Sequence, residues 1–151
     1  MIRMTKLADY GLVLLTHIAR HEDDLHSAVE LASAARLPLP TVGKVLKILA
    51  RDGLLHSNRG AKGGYKLARK ATEISVAEIL QALEGPIAIT ECLEAGHTHC
   101  EYEPGCPTQA NWVVVNRAIR SALERISLAE MAQPFGQHDK QVAVPLQTVQ
   151  N

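Results

Sequence analysis

The sequence predicts a mainly α-helical fold with a small β-wing, in which a winged helix-turn-helix is followed by a long dimerisation helix. Three observations carry that expectation. Three helical patterns follow one another within residues 5–52, with a short Pro-containing connection before the third. A basic, Gly-rich segment over residues 58–64 separates two short stretches of strand character. Beyond Pro107 runs a long amphipathic pattern whose apolar stripe is wider than a lone helix leaves in water.

Each element has its own signals. Over residues 5–21, Leu7, Ala8, Leu12, Leu15 and Ile18 recur at helical spacing. Ser27 followed by Glu30 forms a capping box that opens a second helix over residues 28–35. The run Leu37-Pro38-Leu39-Pro40 cannot continue that helix, but Pro40 suits the first turn of a third, which ends near Asp52-Gly53, where glycine takes a left-handed cap. On this third helix Val42, Val45, Leu46 and Leu49 face inward, which leaves Thr41, Lys44, Lys47, Ile48 and Arg51 outward. Gly43 lies among them at a helix-propensity cost of about 1 kcal/mol relative to Ala, so either the helix approaches something closely there or the position is tolerated.

Leu54 to Ser57 and Tyr65 to Leu67 form the two strands of a wing whose tip carries Arg59, Gly60, Lys62, Gly63 and Gly64. Glycines at such a tip let backbone approach phosphates, and a long-armed Arg can enter a narrow minor groove. Ser75 and Glu78 form a second capping box, for a helix that stops at Gly85-Pro86. In the long run after Pro107, Trp112, Val115, Ile119, Ala122, Leu123 and Ile126 share one stripe, and Ser127 with Glu130 caps a short terminal helix. The economical use of that stripe is to pack against its counterpart in a second subunit, giving a homodimer that reads a palindromic site; an intramolecular cover over the winged helix is the alternative. The expected organisation is a winged helix-turn-helix over residues 1–70, a connector helix, cysteine loop and dimerisation helix over 71–132, and a disordered tail over 133–151.

Charge is divided along the chain. The formal net charge is zero, yet residues 1–70 hold twelve Lys/Arg against six Asp/Glu, and residues 71–151 hold four against ten. From Arg36 to Lys70 the only acid is Asp52. A basic block of this kind implies a polyanion-binding face, most simply double-stranded DNA contacted by Thr41, Lys44, Lys47, Arg51 and the wing tip. The charged amphipathic start does not resemble a signal peptide and no apolar run is long enough to span a bilayer, so the chain is placed in a reducing cytoplasm with no membrane partner. No catalytic triad, P-loop, dinucleotide-binding glycine pattern or Cys-x-x-Cys pair is present, and no enzymatic activity is expected.

The three cysteines, Cys92, Cys100 and Cys106, all fall in one short loop. An odd number cannot all pair as disulfides, whereas three thiolates nearly complete a metal or iron–sulfur site that takes one further ligand. His97 and His99 flank Cys100 and are candidates for that ligand; Glu101 and Glu103 are weaker ones. A structural zinc on Cys92, Cys100, Cys106 and His99 is the non-redox reading.

Met4-Thr5-Lys6-Leu7-Ala8-Asp9-Tyr10-Gly11, the wing run Arg59-Gly60-Ala61-Lys62-Gly63-Gly64-Tyr65, Glu91-Cys92 and Ile126-Ser127-Leu128-Ala129-Glu130 together resemble the IscR-type iron–sulfur cluster regulators, and within them the branch governing the SUF cluster-assembly system. The resemblance spans residues 1–132. It implies a homodimeric winged-helix transcription factor in which a cluster on the three cysteines controls DNA binding, with 2Fe–2S slightly favoured over 4Fe–4S, and the expected mode of action is that of a repressor. Two features depart from the family pattern. Seven residues separate Cys92 from Cys100 where members carry five, a cheap loop insertion. The position three residues after the last cysteine, where some members carry a histidine ligand, is Gln109. The nitric-oxide-sensing branch instead takes an aspartate from the partner's first helix, which matches Asp9, and this makes Asp9 the preferred fourth ligand. By the same pattern, Gly43 stands where some members carry a Glu that discriminates between classes of DNA site.

Overall fold

The computed structural model describes residues 3–60, 62–93, 100 and 105–134. Helix α1, Lys6–Ala19, starts where the Thr5 side chain accepts the Ala8 amide, and it buries Ala8, Leu12, Leu14, Leu15 and Ile18. Helix α2, Ala28–Ala35, opens on the complete Ser27–Glu30 capping box and ends with Arg36 in the left-handed region at φ 55°. Helix α3, Leu39–Arg51, has Pro40 in its first turn, and Gly53 at φ 78° turns the chain just beyond it. Val42, Val45, Leu46 and Leu49 are each fully buried, as their spacing predicts.

Ile48 corrects the expectation of an outward side chain. It is half-buried and packs on the core, because α3 is flanked by α1, α2 and the elements that follow it, so its apolar face is wider than four positions.

Strands β1, Leu55–Asn58, and β2, Gly64–Leu67, pair antiparallel with Leu55 opposite Leu67, and this pair turns its apolar side chains into the core. The other edge of β2 is bridged to the loop before α2: the His26 amide donates to the Tyr65 carbonyl at 3.0 Å and the Tyr65 amide to the His26 carbonyl at 2.8 Å. Gly64 permits that bridge, since a Cβ there would lie 2.6 Å from the His26 carbonyl oxygen.

Helix α4, Val76–Glu84, opens on the Ser75–Glu78 capping box. It belongs to the same core as the preceding elements: Ile74, Val76, Ile79 and Leu83 join Leu15, Leu46 and Leu49 in one cluster. Gly11 lets α1 and α4 close on each other, because a Cβ there would run into the Leu83 side chain. Helix α5, Gln109–Glu124, packs on α4 and buries no residue completely. Helix α6, Leu128–Met131, opens on the third capping box and returns the chain to α1. Its start is fastened by backbone pairing across Ser75 and Ser127, with the Leu128 amide donating to the Ile74 carbonyl at 2.8 Å and the Val76 amide to the Ile126 carbonyl at 2.9 Å. Of the segment expected to be a disordered tail, residues 135–151 lie outside the described residues.

Candidate functional site

The exposed edge of α3 and the wing tip are both basic. Lys44, Lys47 and Arg51 are exposed on α3, with Thr41 half-buried at its start, and Arg59, Gly60 and Lys62 are exposed at the wing. Arg51 pairs with Asp52 at 3.1 Å, an exposed pair that contributes at most about 1 kcal/mol. Among the described residues Lys44, Lys47, Arg59 and Lys62 have no intramolecular ion pair, so their charge is available to an external anion. Gly43 has open space where a Cβ would stand, so no contact within the chain requires glycine there. Gly60 lies at φ 114°, a backbone conformation that favours glycine. Gly63 is confined by its own turn, where a Cβ would come within 2.8 Å of the Gly60 carbonyl oxygen, and Gly64 by the His26 bridge; both glycines therefore shape the wing whatever they contact outside it.

The cysteine site lies between α4 and α5 in the chain. Cys92, in a short 3₁₀ turn over Glu91–Leu93, lines one depression with Cys100 and Cys106, bounded by Thr90, Glu91, Pro107, Thr108 and Trp112. All three thiols are free and half-buried. Thr90 Oγ1 lies 3.3 Å from Cys92 Sγ, and Thr108 Oγ1 lies 3.4 Å from Cys106 Sγ. The Thr108 hydroxyl and then the Thr108 amide hold the Cys106 thiol below its ordinary pKa, with a smaller contribution from the Gln109 amide at the start of α5.

Donor chemistry at this depression suits iron or zinc, with three thiols on one wall and hydroxyl partners beside two of them. Among the described residues no group of three His, Cys, Asp or Glu side chains closes around a single ion, so the thiols line a wall rather than a finished cage. Asp9, in the first turn of α1, is exposed and is not part of that wall within one chain. Gln109, the first residue of α5, is half-buried. The competing candidates His97, His99, Glu101 and Glu103 lie outside the described residues.

One participant is invisible to motif reading. Asn116, two turns into α5, donates from Nδ2 to the Ile87 carbonyl at 2.9 Å and accepts the Ile89 amide at Oδ1 at 3.2 Å. It therefore grips the irregular strap that leads from α4 to Cys92. Only the half-polar spacing of Asn116 within the apolar run of α5 could have signalled it.

Comparison with known proteins gives the face and the thiol wall a context. The family model Rrf2, described as an iron-dependent transcriptional regulator, matches residues 4–134. The chain is 31% identical over 133 residues to the HTH-type transcriptional regulator IscR of Xenorhabdus nematophila, covering 86% of this chain and 79% of that one. It is 30% identical over 119 residues to the HTH-type transcriptional regulator NsrR of Oceanobacillus iheyensis, covering 78% and 79%. Its fold superposes on CymR, the global cysteine regulator of B. subtilis, with a TM-score of 0.71 at 26% identity over 87% of this chain and 97% of that one. No described helix is long and apolar enough to cross a membrane. The winged helix, its exposed basic side chains and a match over residues 4–134 lead to one assignment: the chain belongs to the Rrf2 family of IscR-type, DNA-binding transcriptional regulators and is not an enzyme.

Proposed function

We propose that this protein is a homodimeric repressor whose affinity for a palindromic operator is set by an iron–sulfur cluster on Cys92, Cys100 and Cys106, and that its targets include SUF-type cluster-assembly genes. The observation that carries this reading is the convergence of all three thiols on one depression at the foot of α5, the helix that leaves its apolar stripe uncovered. Asp9 of the partner subunit is the fourth ligand in this reading, since Gln109 offers only a neutral amide, and 2Fe–2S is the preferred cluster. Such a cluster would supply, when bound, a covalent tie between the thiols that is removed when the cluster is lost. Thr90 and Thr108 orient two of the sulfurs, and Trp112 walls the depression on the side of α5. Lys44, Lys47, Arg51, Arg59 and Lys62 contact phosphates and base edges, with Thr41 at the start of the reading helix and Gly60, Gly63 and Gly64 bringing the wing backbone close. The cytoplasm is the compartment this chemistry needs, because free thiolates persist there.

A thiol-only sensor is the second reading, and one observation favours it: Thr108 Oγ1 lies 3.4 Å from Cys106 Sγ, a partner that lowers the pKa of that thiol. Purification without oxygen, followed by a visible spectrum and assay of iron, sulfide and zinc, separates the readings. Brown protein with matching iron and sulfide supports the cluster. Colourless protein rich in zinc makes the site structural, and colourless metal-free protein leaves thiol chemistry. Cys92→Ala is expected to abolish the chromophore while the protein stays folded; a variant that keeps its colour removes Cys92 from the ligand set.

A further inference from the structure

We propose that Asn116 is a positioning residue for the cysteine site, joining the segment that enters it to the helix that leaves it, so that the state of the thiols is felt by α5. The inference rests on the proposed function for what the thiols hold, but its geometry is independent of the ligand. Residues 85–90 form neither helix nor strand, so their amides and carbonyls have no ladder partner. The Asn116 carboxamide answers two of them at once, taking the Ile89 amide at Oδ1 and giving Nδ2 to the Ile87 carbonyl, as a neighbouring strand would. Asparagine suits the task because one short planar group carries both a donor and an acceptor. Aspartate lacks the donor, and alanine lacks both.

The placement gives this clamp leverage. Ile89 is three residues before Cys92, and α5 begins at Gln109, three residues after Cys106. Asn116 thus closes a bracket whose two arms carry the first and the last thiol. The clamped strap also lines an apolar groove with Thr5 and Ala8 of the α1 start and Leu80 and Ile119 of α4 and α5, and the Thr5 hydroxyl bonds Glu84 across it. A shift of Cys92 therefore reaches the helix that shares its core with α3. Groups that orient a metal's ligands without touching the metal commonly change its retention by about ten- to a hundredfold when removed.

The test uses the full-length chain and the variants Asn116→Ala and Asn116→Asp. In cluster-free protein, iodoacetamide alkylation of Cys92 is expected to accelerate roughly tenfold in Asn116→Ala while Cys106, which is held by Thr108, keeps its wild-type rate. In protein reconstituted with iron and sulfide, the same variant is expected to show an altered visible circular dichroism signature, roughly tenfold faster loss of iron to a chelator, and a smaller ratio of loaded to unloaded DNA affinity. Asn116→Asp keeps the acceptor and is expected to fall between wild type and alanine, and it serves in place of alanine if that variant does not fold. Unchanged Cys92 alkylation, or equal acceleration at Cys92 and Cys106, overturns the clamp. If wild-type protein takes up no cluster, the cluster reading fails, and the alkylation rates alone decide the fate of the clamp.

Discussion

In α3 four apolar side chains, Val42, Val45, Leu46 and Leu49, are 0% exposed, whereas α5, with sixteen residues, buries none and leaves Trp112 41%, Val114 64% and Val115 42% exposed. Both helices are amphipathic, but their surroundings differ. Helix α3 is enclosed by α1, α2, α4 and β1, each supplying part of its cover, while α5 packs chiefly on α4, with Asn116 bonded to the strap over residues 87–89 and Ile119 and Leu123 half-buried. The DNA-reading unit is therefore complete within one chain. Helix α5 leaves most of its stripe to whatever meets it, and under the proposed function a change at the thiols is transmitted there without unfolding the DNA-binding unit.

A cavity in the enclosed helix has the largest expected effect. Leu46→Ala is expected to lower unfolding free energy by about 2–5 kcal/mol in urea titration, because the surrounding core relaxes only partly. A loss below about 1 kcal/mol would show that the α3 core is far looser than its burial implies. Next comes Val115→Asp on the exposed stripe. Sedimentation is expected to report a monomer, with a melting temperature at low protein concentration close to that of dissociated wild type, since no buried contact within the chain is lost. A dimer that persists would assign the stripe to some other role.

The basic face gives a smaller and more uniform effect. Lys47→Ala and Arg59→Ala are each expected to weaken operator binding across sequences and to lower the slope of log affinity against log salt by about 1, the signature of one lost phosphate contact. An unchanged slope would exclude that side chain from the DNA backbone. Ser75→Ala, which removes half of the capping box on α4, is expected to cost about 1 kcal/mol. Its effect belongs to the enclosed unit and is independent of protein concentration.

Most of the enclosed unit is legible in the sequence because its signals are local. Three Ser–x–x–Glu boxes mark three helix starts, Pro40 and Gly53 bracket α3, and a 3.6-residue period names its four buried positions. What is not legible depends on contacts distant in sequence. Ile48 is drawn inward by neighbours on both flanks, Gly11 matters only because Leu83 lies against it, and the left-handed Arg36 needs no glycine signal. Gly64 owes its identity to the His26 carbonyl, thirty-eight positions earlier in the chain. At the cysteine site the thiols announce themselves, but Asn116 does not, since its partners are backbone atoms twenty-nine and twenty-seven residues away.

Acid is the mildest probe, and it separates the regions by pH. At the base of the wing His17, His21 and His26 form a triangle with ring centroids 6.0–6.3 Å apart. Burial, then the charges of His26, His21 and Arg20, hold the His17 pKa below its ordinary value of 6.5. Above that value His17 is neutral in both folded and unfolded chains and makes no contribution to pH dependence. As pH falls below it, the unfolded chain takes up the proton first, so stability declines until the depressed folded pKa is passed. A second decline belongs to Glu78. Burial raises its pKa, but the Ser75 amide and Arg69 outweigh that effect and hold it below 4.5, so its stabilisation is lost as pH falls through the acid range. Thermal melts from pH 7.5 down to pH 3.5 are therefore expected to show two steps. His17→Gln flattens the upper step, which originates at the wing side of the core, and leaves the lower one in place. A single step that His17→Gln does not alter would mean that the histidine triangle is already solvated, and would place the whole acid response in the capping carboxylates.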